Sequence, residues 1–384
     1  MIPLCIPNLG GNEARYLQEC VDSNFVSSVG PFVDRFEADV ASATGAAHAV
    51  ATTSGSAGLH AALTAVGVGR DDLVLLPSFT FIASANAIAQ CGASPWLLDI
   101  DEATWGLDPQ ALEVALTRET ERRGDALLHR ASGRRVAAIV PVHCLGLPCD
   151  MDPIIRVARA YGLPVVADAA AAIGASYRDR PIGQLGADLS VLSFNGNKTV
   201  TAGGGGAVLS NEASLAARVR HLTTTARVGS GFDHDRVGFN YRMTNLQAAV
   251  GCAQIEQLDA FVAAKRRIAR QYDVAFSELL GVRAFPTPDW ARSACWFSGL
   301  SWDGRDAEEL VPLLQAEGIA ARAFWKPMSE QVPYRSAPRE PTPVCDRIWR
   351  SVLTLPCSSS LTSDDQAAVI AALRKALERD AEVE

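Results

Sequence analysis

Between residues 48 and 210 the chain repeats one pattern, a short apolar run followed by a helical segment. This alternation narrows its folding options more than any other feature. His48 to Thr53, Leu73 to Pro77, Ser94 to Ile100, Val136 to Val142, Val165 to Asp168 and Leu189 to Phe194 read as strands. Helical segments are predicted over Ala57 to Val66, Ala83 to Gln90 and Pro109 to Arg122, and from Asp152 to Tyr161. Such alternation predicts a largely parallel sheet covered by helices, with its site at the C-terminal ends of the strands.

Several of those ends carry chemistry. The run 163–167 ends in Asp168. Thirty residues later, Ser193-Phe194-Asn195-Gly196-Asn197-Lys198-Thr199 places one lysine in an Asn- and Gly-rich turn, and Gly203 to Gly206 follows. A lysine and a carboxylate at two strand ends of one α/β domain suit pyridoxal phosphate. The amine forms a Schiff base with the aldehyde, and the carboxylate keeps the pyridine nitrogen protonated, making the ring an electron sink. Each piece alone has a plainer meaning. A lysine in such a turn is most often a solvated turn residue. An Asp after a strand is often a helix cap, and a glycine run is often a turn or linker.

Ser54-Gly55-Ser56-Ala57 opens a helix directly after a strand, which makes an anion site from backbone N–H groups and the helix dipole; simple serine capping is the alternative. Phe79 and Phe81 follow Pro77, where an aromatic can stack on a cofactor ring or fill the core. His143, His234 and Lys326 can contact substrate, but structural or surface duty accounts for them equally well.

The 384 residues exceed one small domain, and a large domain (1–265) plus a smaller α+β domain (266–384) is expected. Thr244 to Arg270 reads as a long, broken helix, residues 123–135 as an exposed loop or helix end, and Thr223 to Asn240 as irregular. A net charge of −8 without a basic block argues against nucleic acid or an anionic membrane as partner. No apolar window is long enough for a membrane span, and the N-terminus lacks the pattern of a signal peptide. Nine cysteines without a Cys-x-x-Cys pair read as reduced thiols, without a metal site, in a cytoplasmic protein.

Together these motifs stand in the order of a known family. Val29-Gly30-Pro31, Thr53 to Ala57, Pro77 to Phe81, Asp168-Ala169-Ala170, Ser193 to Lys198, the 203–206 glycines and Val237 to Asn245 carry the resemblance, with support from Arg322 to Met328 and Leu355-Pro356-Cys357. Over nearly its full length the chain resembles the DegT/DnrJ pyridoxal-phosphate-dependent nucleotide-sugar aminotransferases. Residues 6–13 and 27–30 make it similar to the legionaminic acid and bacillosamine branch, which acts on 4-keto-6-deoxy sugars.

The resemblance implies the fold-type-I architecture of aspartate aminotransferase and a homodimer with shared sites. It implies that Lys198 holds the cofactor and shuttles protons, that Asp168 pairs with the ring nitrogen and that Phe81 stacks on the ring. Gly55, Ser56 and Ser193 would hold the phosphate, and Asn240 would reach the phosphate in the partner subunit. L-glutamate is the implied amino donor, and a nucleotide-linked 4-keto sugar becomes the 4-amino sugar of a bacterial surface glycan. A GDP-perosamine synthase-like enzyme and a non-catalytic regulator binding cofactor or sugar nucleotide are the alternatives. A dehydratase relative would carry His in place of Lys198. Two positions depart from the family pattern, Ala167 before Asp168 and Ala171 after it; the side chain usual at the latter bonds the cofactor's phenolic oxygen.

Overall fold

The computed structural model describes residues 1–302 and 305–381. Its centre is a sheet assembled from the predicted runs: β1 (His48–Thr52), β2 (Leu73–Pro77), β3 (Ser94–Leu98), β4 (Val136–Ile139), β5 (Val166–Asp168), β6 (Leu189–Ser193) and β7 (Gly206–Ser210). Ladders give the orders β1-β7-β6-β5 and β3-β2-β4. Parallel bridges Ile139–Val165 and Val142–Asp168 join β4 to β5, so the spatial order is β1-β7-β6-β5-β4-β2-β3. All strands run parallel except β7, which is antiparallel to both β1 and β6. The antiparallel strand is reached by the tight glycine turn after Lys198, where Gly203 has φ 72° and Gly205 φ 109°. A Cβ on Gly205 would sit 2.5 Å from Met243 Cε, so only glycine fits there.

Side chains alternate across this sheet. Leu73 and Leu75 enter one buried cluster, while Val74 and Leu76 enter another on the opposite face. The first face is covered by α2 (Pro31–Thr44), α6 (Met151–Tyr161) and α8 (Asn245–Ile255), the second by α3 (Gly55–Ala65), α4 (Ile82–Gln90) and α7 (Ala213–Thr223). Gly58 in α3 lets that helix approach the sheet: a Cβ there would lie 2.9 Å from Val191 Cγ1.

Helix α9 (Leu258–Phe276) changes allegiance along its length. Leu258, Phe261 and Val262 join the first cluster, whereas Ile268, Tyr272 and Phe276 join a third one. That third cluster surrounds an antiparallel sheet of β8 (Val282–Ala284), β9 (Ser298–Trp302), β10 (Arg322–Ala323) and β11 (Val352–Leu355), in the order β8-β9-β11-β10. The first five residues belong with this second unit: Ile2 N–H donates to Gly318 O at 2.8 Å, and Cys357 N–H donates to Leu4 O at 2.8 Å.

Two local expectations are revised, and the expected break in the long helix is located. The charged stretch after Glu119 forms a hairpin, Thr120–Arg123 against Ala126–His129, because Leu127 and His129 turn into the protein. The long helix from Thr244 is two helices, α8 started by a full Thr244–Gln247 capping box and separated from α9 at residues 256–257. Within the irregular segment after Thr223, Arg227–Val228 pairs with Asp233–His234 in a minimal ladder.

Candidate active site

The parallel strands end on one edge of the sheet, and a cavity of ≈ 360 Å³ opens there. Ser54, Gly55 and Ser56 reach it from the end of β1, Ser193 from β6, Asp168 from β5, His143 from the end of β4 and Phe81 from beyond β2. Lys198 comes from the loop between β6 and β7. The small unit closes the other side with Trp296, Phe297, Arg322, Phe324 and Trp325. Lys198, Asp168, Phe81, Gly55, Ser56 and Ser193 therefore share one cavity, whereas Asn240 is exposed and lies outside it.

The lysine is held from both directions along the chain. Its backbone N–H donates to Asn195 O at 3.0 Å, closing the turn, and its Nζ lies 3.4 Å from the centroid of the Trp296 ring. Trp296 is fixed in turn by its Nε1–H donating to Asn197 O at 2.7 Å. Desolvation pulls the Lys198 ammonium down to about 7, against the opposing attraction of the Asp168 and Cys5 charges. A primary amine is thus available unprotonated near neutral pH, the state a nucleophile and proton carrier requires.

Asp168 is buried and oriented by two donors, Ser84 Oγ–H at 2.6 Å and Ala170 N–H at 3.0 Å. Its backbone is clamped between strands, its N–H donating to Pro141 O and its carbonyl accepting from His143 N–H, both at 2.9 Å. Ser84 has a weak sequence signal: it stands in the first turn of the helix that follows Phe81, the turn nearest the strand ends.

Ser54, Gly55, Ser56 and Ser193 meet at one end of the cavity, at the start of α3. Ser54 caps α3 by accepting from Ala57 N–H, which leaves the other first-turn donors facing the cavity edge. A Cβ on Gly55 would stand 2.9 Å from Ser193 Cβ, so glycine lets the helix start and the end of β6 close to this distance. Phe81 remains half exposed at 55%, with its ring 6.2 Å from that of Trp325.

Ala167 is wholly buried and points away from the cavity, so its departure from the family pattern concerns the core. Ala171 lines the cavity. His143 is buried, and its Nδ1 accepts from Cys149 N–H at 3.2 Å. Among the described residues its buried Nε2 has no partner, an arrangement that costs on the order of 1–3 kcal/mol unless something pairs with it.

A second charged cluster lies behind the lysine loop. Lys265 is buried and donates to Trp296 O at 3.0 Å, to Cys357 O at 2.8 Å and to Cys5 Sγ at 3.6 Å. Cys5 Sγ also contacts Asn197 O at 3.3 Å. The Cys357 thiol and Lys265 together bring the Cys5 thiol down to about 6 against its burial. Long-range contacts of this kind leave no sequence pattern. Among the described residues, no three His, Cys, Asp or Glu side chains come together as a metal site, and no helix is long and apolar enough to cross a membrane.

A lysine with a depressed pKa, a buried carboxylate and a helix-start anion cradle fit pyridoxal phosphate, and comparison with known proteins agrees. Residues 7–374 match the profile of the DegT/DnrJ/EryC1/StrS aminotransferase family. The chain is 38% identical over 393 residues to GDP-perosamine synthase of Caulobacter vibrioides, covering 98% of each. It is 36% identical to the putative pyridoxal phosphate-dependent aminotransferase EpsN of Bacillus subtilis, covering 97% of this chain and 95% of that one. Among solved structures it is similar to DesI in the presence of its TDP-sugar product, with a TM-score of 0.88, 31% identity and coverage of 100% of this chain and 94% of that one. The chain belongs to the DegT/DnrJ/EryC1/StrS aminotransferase family and is a pyridoxal-phosphate-dependent aminotransferase.

Proposed function

We propose that this enzyme transfers an amino group from L-glutamate to C4 of a nucleotide-linked 4-keto-6-deoxy sugar, in the cytoplasm, for a surface glycan. The observation that carries the reading is Lys198, brought to about 7 in the cavity that also holds Asp168. When bound, pyridoxal phosphate supplies the electron sink that lets an amine and a ketone exchange places.

The chain's residues divide the remaining work. Lys198 Nζ would hold the cofactor through its aldehyde group and, when free, would accept and return a proton as a general base and acid. Asp168, fixed by Ser84 and Ala170, holds the proton on the ring nitrogen. Gly55, Ser56 and Ser193 take the phosphate at the start of α3. Phe81 lies against the ring face. Trp296, Phe324 and Trp325 form an apolar wall above Lys198, and Arg322 is the cation at that wall suited to a diphosphate. The division near residue 265 sets residues 1–265 as the cofactor domain and 266–384 as the lid-side domain, with the first five residues packed on the latter. Asn240, exposed and outside its own cavity, serves the second site of a homodimer.

The names of the relatives make a GDP-linked sugar the first substrate to test, and the resemblance of residues 6–13 and 27–30 to the bacillosamine branch makes a UDP-linked sugar the second. Purified enzyme is incubated with glutamate and each keto sugar nucleotide, and 2-oxoglutarate and the amino sugar nucleotide are quantified. Equimolar formation of both with one keto sugar supports the reading. Formation of 2-oxoglutarate with neither, at saturating cofactor, contradicts it.

A further inference from the structure

The order of strand ends along the cavity carries one more conclusion, which rests on the cofactor reading above. Asp168 ends β5, in the middle. On one side lies β6 with Ser193 and, past β7, the Gly55–Ser56 turn after β1; on the other lies β4, followed by His143. Pyridoxal phosphate carries its phosphate arm and its phenolic oxygen on opposite sides of the axis from the ring nitrogen to the aldehyde carbon. With the phosphate at Ser56 and Ser193 and the nitrogen at Asp168, the phenolic oxygen faces the β4 side.

On that side the cavity wall includes Val142, Ala170 and Ala171, none of which has a side-chain donor. His143 does have one. Its backbone N–H is tied to Asp168 O, which fixes its distance from the carboxylate strand. Its Nδ1 accepts from Cys149 N–H, so the neutral ring carries its proton on Nε2. Burial keeps that ring neutral, with its pKa down at about 4. Nε2 is the polar edge left over, buried and without a partner among the described residues. We propose that His143 Nε2–H donates a hydrogen bond to the phenolic oxygen of bound pyridoxal phosphate, as a positioning residue that sets the ring's tilt and electron distribution.

A chemical cycle tests this without turnover. The dissociation constants of pyridoxal phosphate and of 3-deoxypyridoxal phosphate, which lacks the phenolic oxygen, are measured by quenching of tryptophan fluorescence on the full-length protein. His143→Asn keeps an acceptor for Cys149 N–H and loses the distal donor, while His143→Gln places an amide donor near the original Nε2. We expect the preference for pyridoxal phosphate over its deoxy analogue to fall about tenfold in H143N and to recover in part in H143Q. The same preference in wild type and both variants would overturn the proposal. Wild type binding neither compound would overturn the cofactor reading itself, and the proposal with it. If H143N does not fold, His143→Phe, which keeps the ring outline and has no donor, takes its place: a preference reduced about tenfold supports the contact, and a preference as large as that of wild type overturns it.

Discussion

At Lys198 two opposing physical terms meet, and desolvation prevails over the attraction of Asp168 and Cys5. The consequence is a stability that depends on pH. Between about 7 and 10.5 the unfolded chain binds a proton on this lysine that the folded protein does not, so unfolding becomes harder as pH rises through that window. Below about 7 both states are protonated and the burial penalty is fully present. Urea unfolding of the cofactor-free protein is therefore expected to gain stability from pH 7 to 10 relative to Lys198→Met; parallel curves for the two proteins would refute the shift. Cys5 offers an independent check on the neighbouring cluster. The Cys357 thiol and the Lys265 ammonium beside its sulfur bring Cys5 down to about 6, which favours the thiolate, whereas burial raises Cys91, Cys252 and Cys345. Iodoacetamide at pH 7 is expected to alkylate Cys5 first, and Lys265→Met to slow that reaction, as peptide mass spectrometry would show. Equal labelling of the half-buried Cys5, Cys91 and Cys295 would contradict it.

At the scale of elements, the proposed phosphate cradle would depend on how closely α3 approaches the end of β6. Gly55→Ala places a methyl 2.9 Å from Ser193 Cβ and forces one of the two apart. Overpacking of this kind costs about 1–3 kcal/mol, so cofactor affinity is expected to drop by about tenfold or more while far-ultraviolet dichroism stays native. Unchanged affinity would show that the cradle lies elsewhere. This element was readable in advance because its logic is local: a strand, a Ser-Gly-Ser turn and a helix follow one another without interruption. Lys198 and Asp168 were readable for the same reason, each sitting just past an apolar run. Ser84, Trp296 and Lys265 were not. Trp296 reaches Lys198 from almost a hundred residues away, and nothing in a one-dimensional pattern states that contact. The 120–129 hairpin escaped because its strands are short and its outward residues charged, so propensity favoured a loop until Leu127 and His129 found buried sites. The start of α8 is marked by a capping box whose Thr and Gln are visible in sequence, whereas α9 begins after Gln257 with no side-chain cap to announce the break.

At the scale of the whole molecule, one helix ties two units together, and several large apolar side chains stay outside both cores. Phe25, Val26, Val29, Phe81, Phe232 and Val237 are all exposed in the single chain, and Asn240 stands on the same outward segment as the last two. A homodimer that shares its sites predicts complementation. Lys198→Ala and Asn240→Ala homodimers should each be impaired. Subunits mixed by unfolding and refolding should regain about a quarter of wild-type activity, because half the dimers then carry one intact site. No recovery on mixing would place Asn240 outside any shared site. The central claim remains that Lys198, beside Asp168, is the amine that holds the cofactor. The most direct measurement is the ultraviolet–visible spectrum of wild type and Lys198→Ala with pyridoxal phosphate, before and after L-glutamate. The account predicts a visible band of cofactor joined to protein in wild type, bleached by glutamate, and no protein-linked band in the variant. A wild-type spectrum identical to that of free cofactor, or the same linked band in the Ala variant, would contradict it.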